Sequence, residues 1–151
     1  MQLTRAADYA VRVMIHLAGL PVGTRASRTQ LAQAAECPEQ FLSKVLQGLT
    51  RTGLVVSHRG NTGGFELPEK HRSATLLQVV ESVEGPITLN SCLSSDQTCA
   101  RQGWCPAHPV WADAQSVMLE VLGKATLQDL ARRAATVRNF EKSFVDEPKW
   151  N

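Results

Sequence analysis

At 151 residues, 43% hydrophobic and 20% charged, the chain has the size and make-up of one globular domain, or of two small lobes sharing a core. No apolar run approaches the roughly 18 residues that cross a bilayer, and the opening MQLTRAADYAV lacks the apolar h-region of a signal peptide, so a cytoplasmic protein without membrane contact is expected. Charge is unevenly placed: residues 1–72 carry 9 Lys/Arg against 5 Asp/Glu, net +4, and residues 73–151 carry 7 against 9, net −2, so the front half suits a polyanion.

The first helix is expected from a Thr4 cap to about Ala18, with Tyr9, Ala10, Val13, Met14 and Leu17 as its apolar stripe. Asp8 and Arg12 lie four apart on another face, the spacing of a surface ion pair. Ser27 and Gln30 form a capping-box pattern for a short helix through Ala35. Pro38 suits a first helical position, and a third helix follows to about Thr52, with Phe41, Leu42, Val45, Leu46 and Leu49 inward. Two short helices joined by a tight break are a helix-turn-helix. Extended runs at Leu54–Arg59 and Phe65–Leu67 flank GNTGG, where Gly60, Gly63 and Gly64 permit the positive φ of a hairpin turn, so a wing follows.

Pro68–Arg72 reads as a polar linker. Thr75 and Gln78 repeat the capping box for a helix with Leu76, Leu77, Val80 and Val83 inward, stopped by Gly85-Pro86. A loop of about twenty residues to Pro106 comes next, a length that is uncommon in a compact domain and usually functional or disordered. A long helix is expected over Pro109–Leu122, ended by Gly123, with Val110, Ala114, Val117, Met118 and Val121 on one stripe. Thr126 and Asp129 cap a last helix carrying Leu127, Leu130, Ala131 and Ala134, and a loosely held tail after about Val137 carries Phe140, Phe144 and Trp150. The expected architecture is mainly α with a small β-hairpin wing, a winged helix-turn-helix plus a long dimerisation helix. It divides as 1–72 for DNA binding, 73–134 for the loop and dimerisation helices, and 135–151 as tail.

The long loop holds Cys92, Cys99 and Cys105, with His108 beyond two intervening residues. In a reducing compartment clustered thiols read as metal or redox ligands before disulfides. Their gaps are C-x6-C-x5-C, wider than the C-x2-C to C-x4-C pairs usual in structural zinc sites, and suit a larger object such as an iron–sulfur cluster. Free redox-active thiols remain the alternative. Cys37 stands alone before Pro38, where a small packing residue is normal, and Trp104 and Trp111 suit shielding or a subunit contact.

The outer stripe of the third helix, Gln40, Ser43, Lys44 and Gln47 with Arg51 beyond, has the chemistry of major-groove readout: Gln pairs with adenine, Lys reaches guanine acceptors and Ser adapts. Arg59 at the wing suits a minor groove, beside Gly60, Gly63 and Gly64. The bland reading of the same residues is a solvated face.

LTRAADYAVRVMIHLA, FLSKVLQGLTRTGLVVSHRGNTGGFEL, VVESVEGP and the three spaced cysteines together resemble the winged-helix iron–sulfur transcriptional regulators typified by IscR and NsrR, over about residues 1–134. The resemblance implies a homodimer built on the helix after the loop, double-stranded promoter DNA as partner, and a 2Fe–2S or 4Fe–4S cluster on Cys92, Cys99, Cys105 and one other ligand. In IscR-like members that ligand is a histidine at the place of His108. In the nitric-oxide-sensing NsrR-like members it is an aspartate of the other subunit's first helix, at the place of Asp8. Both are present here, and His108 is preferred because its spacing from Cys105 is local. Ser43 stands where IscR-like proteins carry an acidic base-reading residue, so the operator is expected to differ. The function expected is a repressor whose operator affinity is controlled by a cluster sensing nitric oxide, redox or iron–sulfur status. The rivals are a metal-free thiol-redox regulator and a zinc-stabilised winged-helix adaptor. An enzyme is not expected, because no nucleophile–base pair or phosphate loop is visible.

Overall fold

The computed structural model describes residues 3–94 and 99–145, with backbone alone over 138–145. The described elements are α1 (Arg5–Gly19), α2 (Arg28–Ala35), α3 (Glu39–Arg51), β1 (Val56–His58), β2 (Gly64–Glu66), α4 (Leu76–Glu84), α5 (His108–Lys124) and α6 (Leu127–Val145). Six helices and one antiparallel hairpin make a winged helix-turn-helix followed by three further helices.

The helix starts follow from local chemistry. Thr4 accepts from the N–H groups of Ala6 and Ala7. Ser27–Gln30 and Thr75–Gln78 are full capping boxes, each satisfying donors that the first turn leaves orphaned. Pro38 caps α3 from just outside rather than as its first helical residue. Glu36 turns the chain between α2 and α3 in the left-handed conformation, φ 52° and ψ 41°, as the αL end of a helix does.

α1 is the axle. Ala10, Val13, Met14 and Leu17 are buried against Leu31 of α2, Leu42, Val45 and Leu49 of α3, Val79 of α4 and Leu127 of α6. Each such Leu or Val contributes about 1.5–3 kcal/mol by leaving water. A second small core, Ala7, Val80 and Ile87, takes Leu77, Met118, Leu119 and Leu122 against it and seats α5. The ends of α4 and α6 are tied by an antiparallel bridge between Thr75 and Thr126, where Leu76 N donates to Ala125 O at 2.8 Å and Leu127 N to Ala74 O at 2.9 Å. The core therefore runs across residue 72.

Several expectations shift. Phe41 is 39% exposed and meets Tyr9 edge-on, with ring centroids 5.6 Å apart. α4 buries Val79 and Val80, leaving Leu76, Leu77 and Val83 half-buried. The segment read as a linker holds Arg72, whose guanidinium donates to Ala18 O at 2.9 Å and Leu20 O at 2.6 Å and closes the C-terminus of α1. α5 passes through Gly123 to Lys124, and α6 stays helical to Val145, so backbone expected as loose tail is helix. Trp150 and the side chains of Phe140 and Phe144 lie outside the description.

Candidate functional site

Two regions carry the chemistry. The first is the exposed side of the helix-turn-helix. α3 buries Leu42, Val45, Leu46 and Leu49, and so turns Gln40, Ser43, Lys44, Gln47 and Arg51 outward, all exposed. Ser43 Oγ donates to Glu39 O at 3.3 Å, which spends its proton within the helix and leaves its lone pairs outward. Arg59 and Gly60 are exposed at the wing, with Gly60 at φ 102°.

Gly63 and Gly64 serve the wing differently from the expectation. Gly63 is not at positive φ; a Cβ there would stand 2.5 Å from His58 O and 2.8 Å from Gly60 O. Gly64 is at φ 150°, and its Cβ would stand 2.8 Å from Ala26 O. That close approach is where the chain before α2 pairs with the wing: Ala26 N donates to Phe65 O at 3.0 Å and Phe65 N to Ala26 O at 2.8 Å. Both glycines are half-buried, Gly63 in the turn and Gly64 paired with His58 beside it, turned toward the body of the protein rather than presented to solvent.

Between α3 and the wing lies an open groove of about 220 Å³ lined by Arg28, Ser43, Gln47, Thr50 and Ser57. Sequence reasoning had passed over Arg28 and Ser57. Arg28 directly follows the capping Ser27, so its place on the first turn of α2 was available; which side it faces depended on the packing of α2.

The second region is the cysteine loop. Ile87 is buried at its start, and Leu89 N donates to Gln115 Oε1 of α5 at 2.8 Å, so the loop leaves from a fixed point. Cys92 sits in a single 3-10 turn, Ser91–Leu93. Cys99 to His108 winds through consecutive turns: Gln102 N donates to Cys99 O at 3.0 Å, Cys105 N to Arg101 O at 2.8 Å, and His108 N to Cys105 O at 3.2 Å. The Arg101 guanidinium stacks 5.6 Å over the ring of Trp104, which is 70% exposed. Trp111 is also exposed, so neither Trp shields the loop within one chain.

Cys92, Cys99 and Cys105 are free thiols and half-buried. His108 opens α5, and its Nε2 is buried with no hydrogen-bond partner among the described residues. A buried ring nitrogen without a partner is costly unless something else uses its lone pair or proton. Three free thiols and this nitrogen form a soft-donor set whose chemistry suits an iron–sulfur cluster. Among the described residues no three His, Cys, Asp or Glu side chains converge on a single-ion site, so a mononuclear centre is not preassembled.

Asp8 is exposed and paired with Arg12 at 3.0 Å, as the helical spacing predicts. Arg12 also donates to Ala35 O at 3.4 Å and stands 3.5 Å from Glu36, so it reaches from α1 to the turn between α2 and α3. Cys37 is buried in that turn, its thiol 3.5 Å from Pro38 O, and desolvation pushes its pKa up, which fits a packing role.

A family model described as "Rrf2: Iron-dependent Transcriptional regulator" matches residues 3–133. The chain belongs to the Rrf2 family of transcriptional regulators. Its members here are regulators of transcription, not enzymes. Protein aau3 of Rhizobium meliloti is 34% identical over 134 residues, 87% of this chain and 86% of that protein. The transcriptional regulator NsrR of Geobacillus kaustophilus is 29% identical over 143 residues, 94% of this chain and 97% of that protein. The solved structure of CymR, described as the global cysteine regulator of B. subtilis, superposes with a TM-score of 0.71 at 27% identity, covering 88% of this chain and 98% of that one. The chain's family is one of DNA-binding transcriptional regulators, and none of its described helices is long and apolar enough to cross a membrane.

Proposed function

We propose that this Rrf2 regulator is a cytoplasmic, homodimeric repressor whose affinity for promoter DNA is set by an iron–sulfur cluster. Cys92, Cys99 and Cys105 would hold the cluster, with His108 as fourth ligand and the partner subunit's Asp8 as the alternative. The observation that carries this reading is the buried, unpartnered Nε2 of His108 at the exit of a loop holding three free thiols. When bound, the cluster supplies a reactive centre for nitric oxide, oxidants or iron–sulfur depletion.

The chain's own residues transmit its state. The loop leaves from Ile87 and Gln115 and returns through His108 into α5. α5 presents Val110, Val117 and Val121, each at least 60% exposed, which suits burial against a second copy. An ordered loop thus fixes α5, and α5 fixes the distance between two reading heads. Binding energy is lost when that preorganisation is lost. Gln40, Ser43, Lys44, Gln47 and Arg51 read the major groove in this account, and Arg59 the minor groove.

Absorption and Mössbauer spectra of anaerobically isolated protein, alongside His108→Ala and Asp8→Ala, test the assignment. Iron and sulfide at cluster stoichiometry, with an altered spectrum in His108→Ala, are expected. Zinc without sulfide would overturn the reading in favour of a structural adaptor.

A second reading is a metal-free thiol regulator. It is favoured by the lack of a converged three-ligand site among the described residues and by the likeness to a cysteine regulator. A colourless anaerobic preparation with peroxide-sensitive DNA binding would establish it.

A further inference from the structure

The wing is held at two levels. Its second strand is pinned at mid-length by the backbone pair Ala26–Phe65 just before α2. Beyond that pair, the described links from the wing to this segment come from Arg25. Its Nη1 donates to Thr62 O, in the turn next to Arg59, at 3.4 Å, and its Nε stands 3.7 Å from Glu66 Oε2 on β2. The same carboxylate oxygen stands 2.8 Å from His58 Nε2 on β1, a contact close enough for an ion pair but not aligned as a hydrogen bond. One guanidinium therefore touches both the turn and the second strand, and one carboxylate joins both strands to it. Arg25 and Glu66 are part-exposed, and neither side chain lies in the apolar core.

The charges make this arrangement informative. A carboxylate on the wing repels DNA phosphates, so Glu66 is unfavourable to binding unless its placement of the wing returns more than it costs. We propose that Arg25 and Glu66 are positioning residues for DNA binding: together they fix the angle of the wing turn, and with it Arg59, relative to α3. This rests on the DNA-binding reading above.

The test uses the full-length protein and a duplex that the wild type selects from a random-sequence library. The decisive feature is a sign. If Glu66 were only a charge near DNA, Glu66→Gln would tighten binding. The brace predicts that Glu66→Gln and Arg25→Gln each weaken it, by about two- to fivefold, the range that one part-exposed pair commands. The double variant is no worse than the weaker single one. In an Arg59→Ala background Arg25→Gln costs nothing further, whereas a direct Arg25–phosphate contact would cost as much there as in the wild type. Hydrogen exchange gives a readout without DNA: the Gly63 amide, which donates to Gly60 O at 2.9 Å, exchanges faster in Arg25→Gln while α1 and α3 keep their protection. Tighter or unchanged binding by Glu66→Gln, or an undiminished Arg25→Gln effect without Arg59, overturns the proposal and leaves the DNA-binding reading intact. Failure of the wild type to select any duplex overturns both.

Discussion

The four cysteines are the same residue type in two different environments. Cys37 is buried at a turn where desolvation raises its pKa, while Cys92, Cys99 and Cys105 are half-buried in an irregular loop. Brief iodoacetamide treatment of cluster-free protein near pH 8 should therefore label the three loop thiols and spare Cys37, read by peptide mass spectrometry; preferential labelling of Cys37 would contradict the packing role. Asp129 offers a second test. The Thr126 hydroxyl, then the Arg132 guanidinium, hold its carboxyl below the usual carboxylate range. A depressed folded-state pKa contributes stability that is present above the unfolded value and lost as pH falls through the folded one. Asp129→Asn should lower Tm slightly at neutral pH, and the gap should close in acid as the carboxyl becomes protonated; a gap unchanged at low pH would contradict it. Caps such as Ser27–Gln30, Thr75–Gln78 and Thr126–Asp129 were legible because the donor and acceptor lie within four residues. Arg72 was not, because its acceptors, Ala18 O and Leu20 O, are more than fifty positions away in the chain.

Among the elements, α3 and α4 meet unusually closely. A Cβ on Gly48 would stand 2.9 Å from Val83 Cγ1 and 3.2 Å from Ser82 O. Alanine is favoured over glycine in a helix by about 1 kcal/mol, but overpacking typically costs about 1–3 kcal/mol, and neither a stiff valine nor a backbone carbonyl yields easily. Gly48→Ala should thus lower stability on balance, read as a lower urea midpoint, and should weaken DNA retention by moving α3; a more stable variant would show that α4 gives way. Helix periods identified which elements exist but not which face wins. α5 is apolar on two sides: Met118, Leu119 and Leu122 pack inward, whereas Val110, Val117 and Val121 are exposed in one chain. The stripe chosen from periodicity is mostly the outer one. Val117→Glu should consequently leave Tm of the isolated chain nearly unchanged while abolishing the dimer in sedimentation; a persisting dimer would move the interface off α5. The wing glycines show the same limit. Their presence marked a turn, yet the reasons for Gly63 and Gly64 are the carbonyls of His58 and Ala26, contacts set by tertiary pairing.

At the scale of the molecule, α1 packs against α2, α3, α4 and α6. It anchors α3 through one core and Ile87, at the root of the cysteine loop, through the other, and its Arg12 reaches the turn that leads into the recognition helix. In the proposed function, this is the route by which a change in the loop would be felt at the DNA. The winged helix was legible from pattern, because its parts follow one another in sequence. The cysteine site was legible only as a donor set, since among the described residues the three thiols and the imidazole do not converge, and no spacing rule reports what would bring them together. In the proposed function, the state of this loop sets operator affinity. Its most direct test is a retardation titration with anaerobically isolated protein on a self-selected duplex, before and after chelation of the iron. The account predicts iron and sulfide before chelation, and a loss of affinity of about tenfold or more afterwards, which corresponds to at least about 1.4 kcal/mol of lost preorganisation. Equal affinity and equal sequence preference in the two states would contradict it.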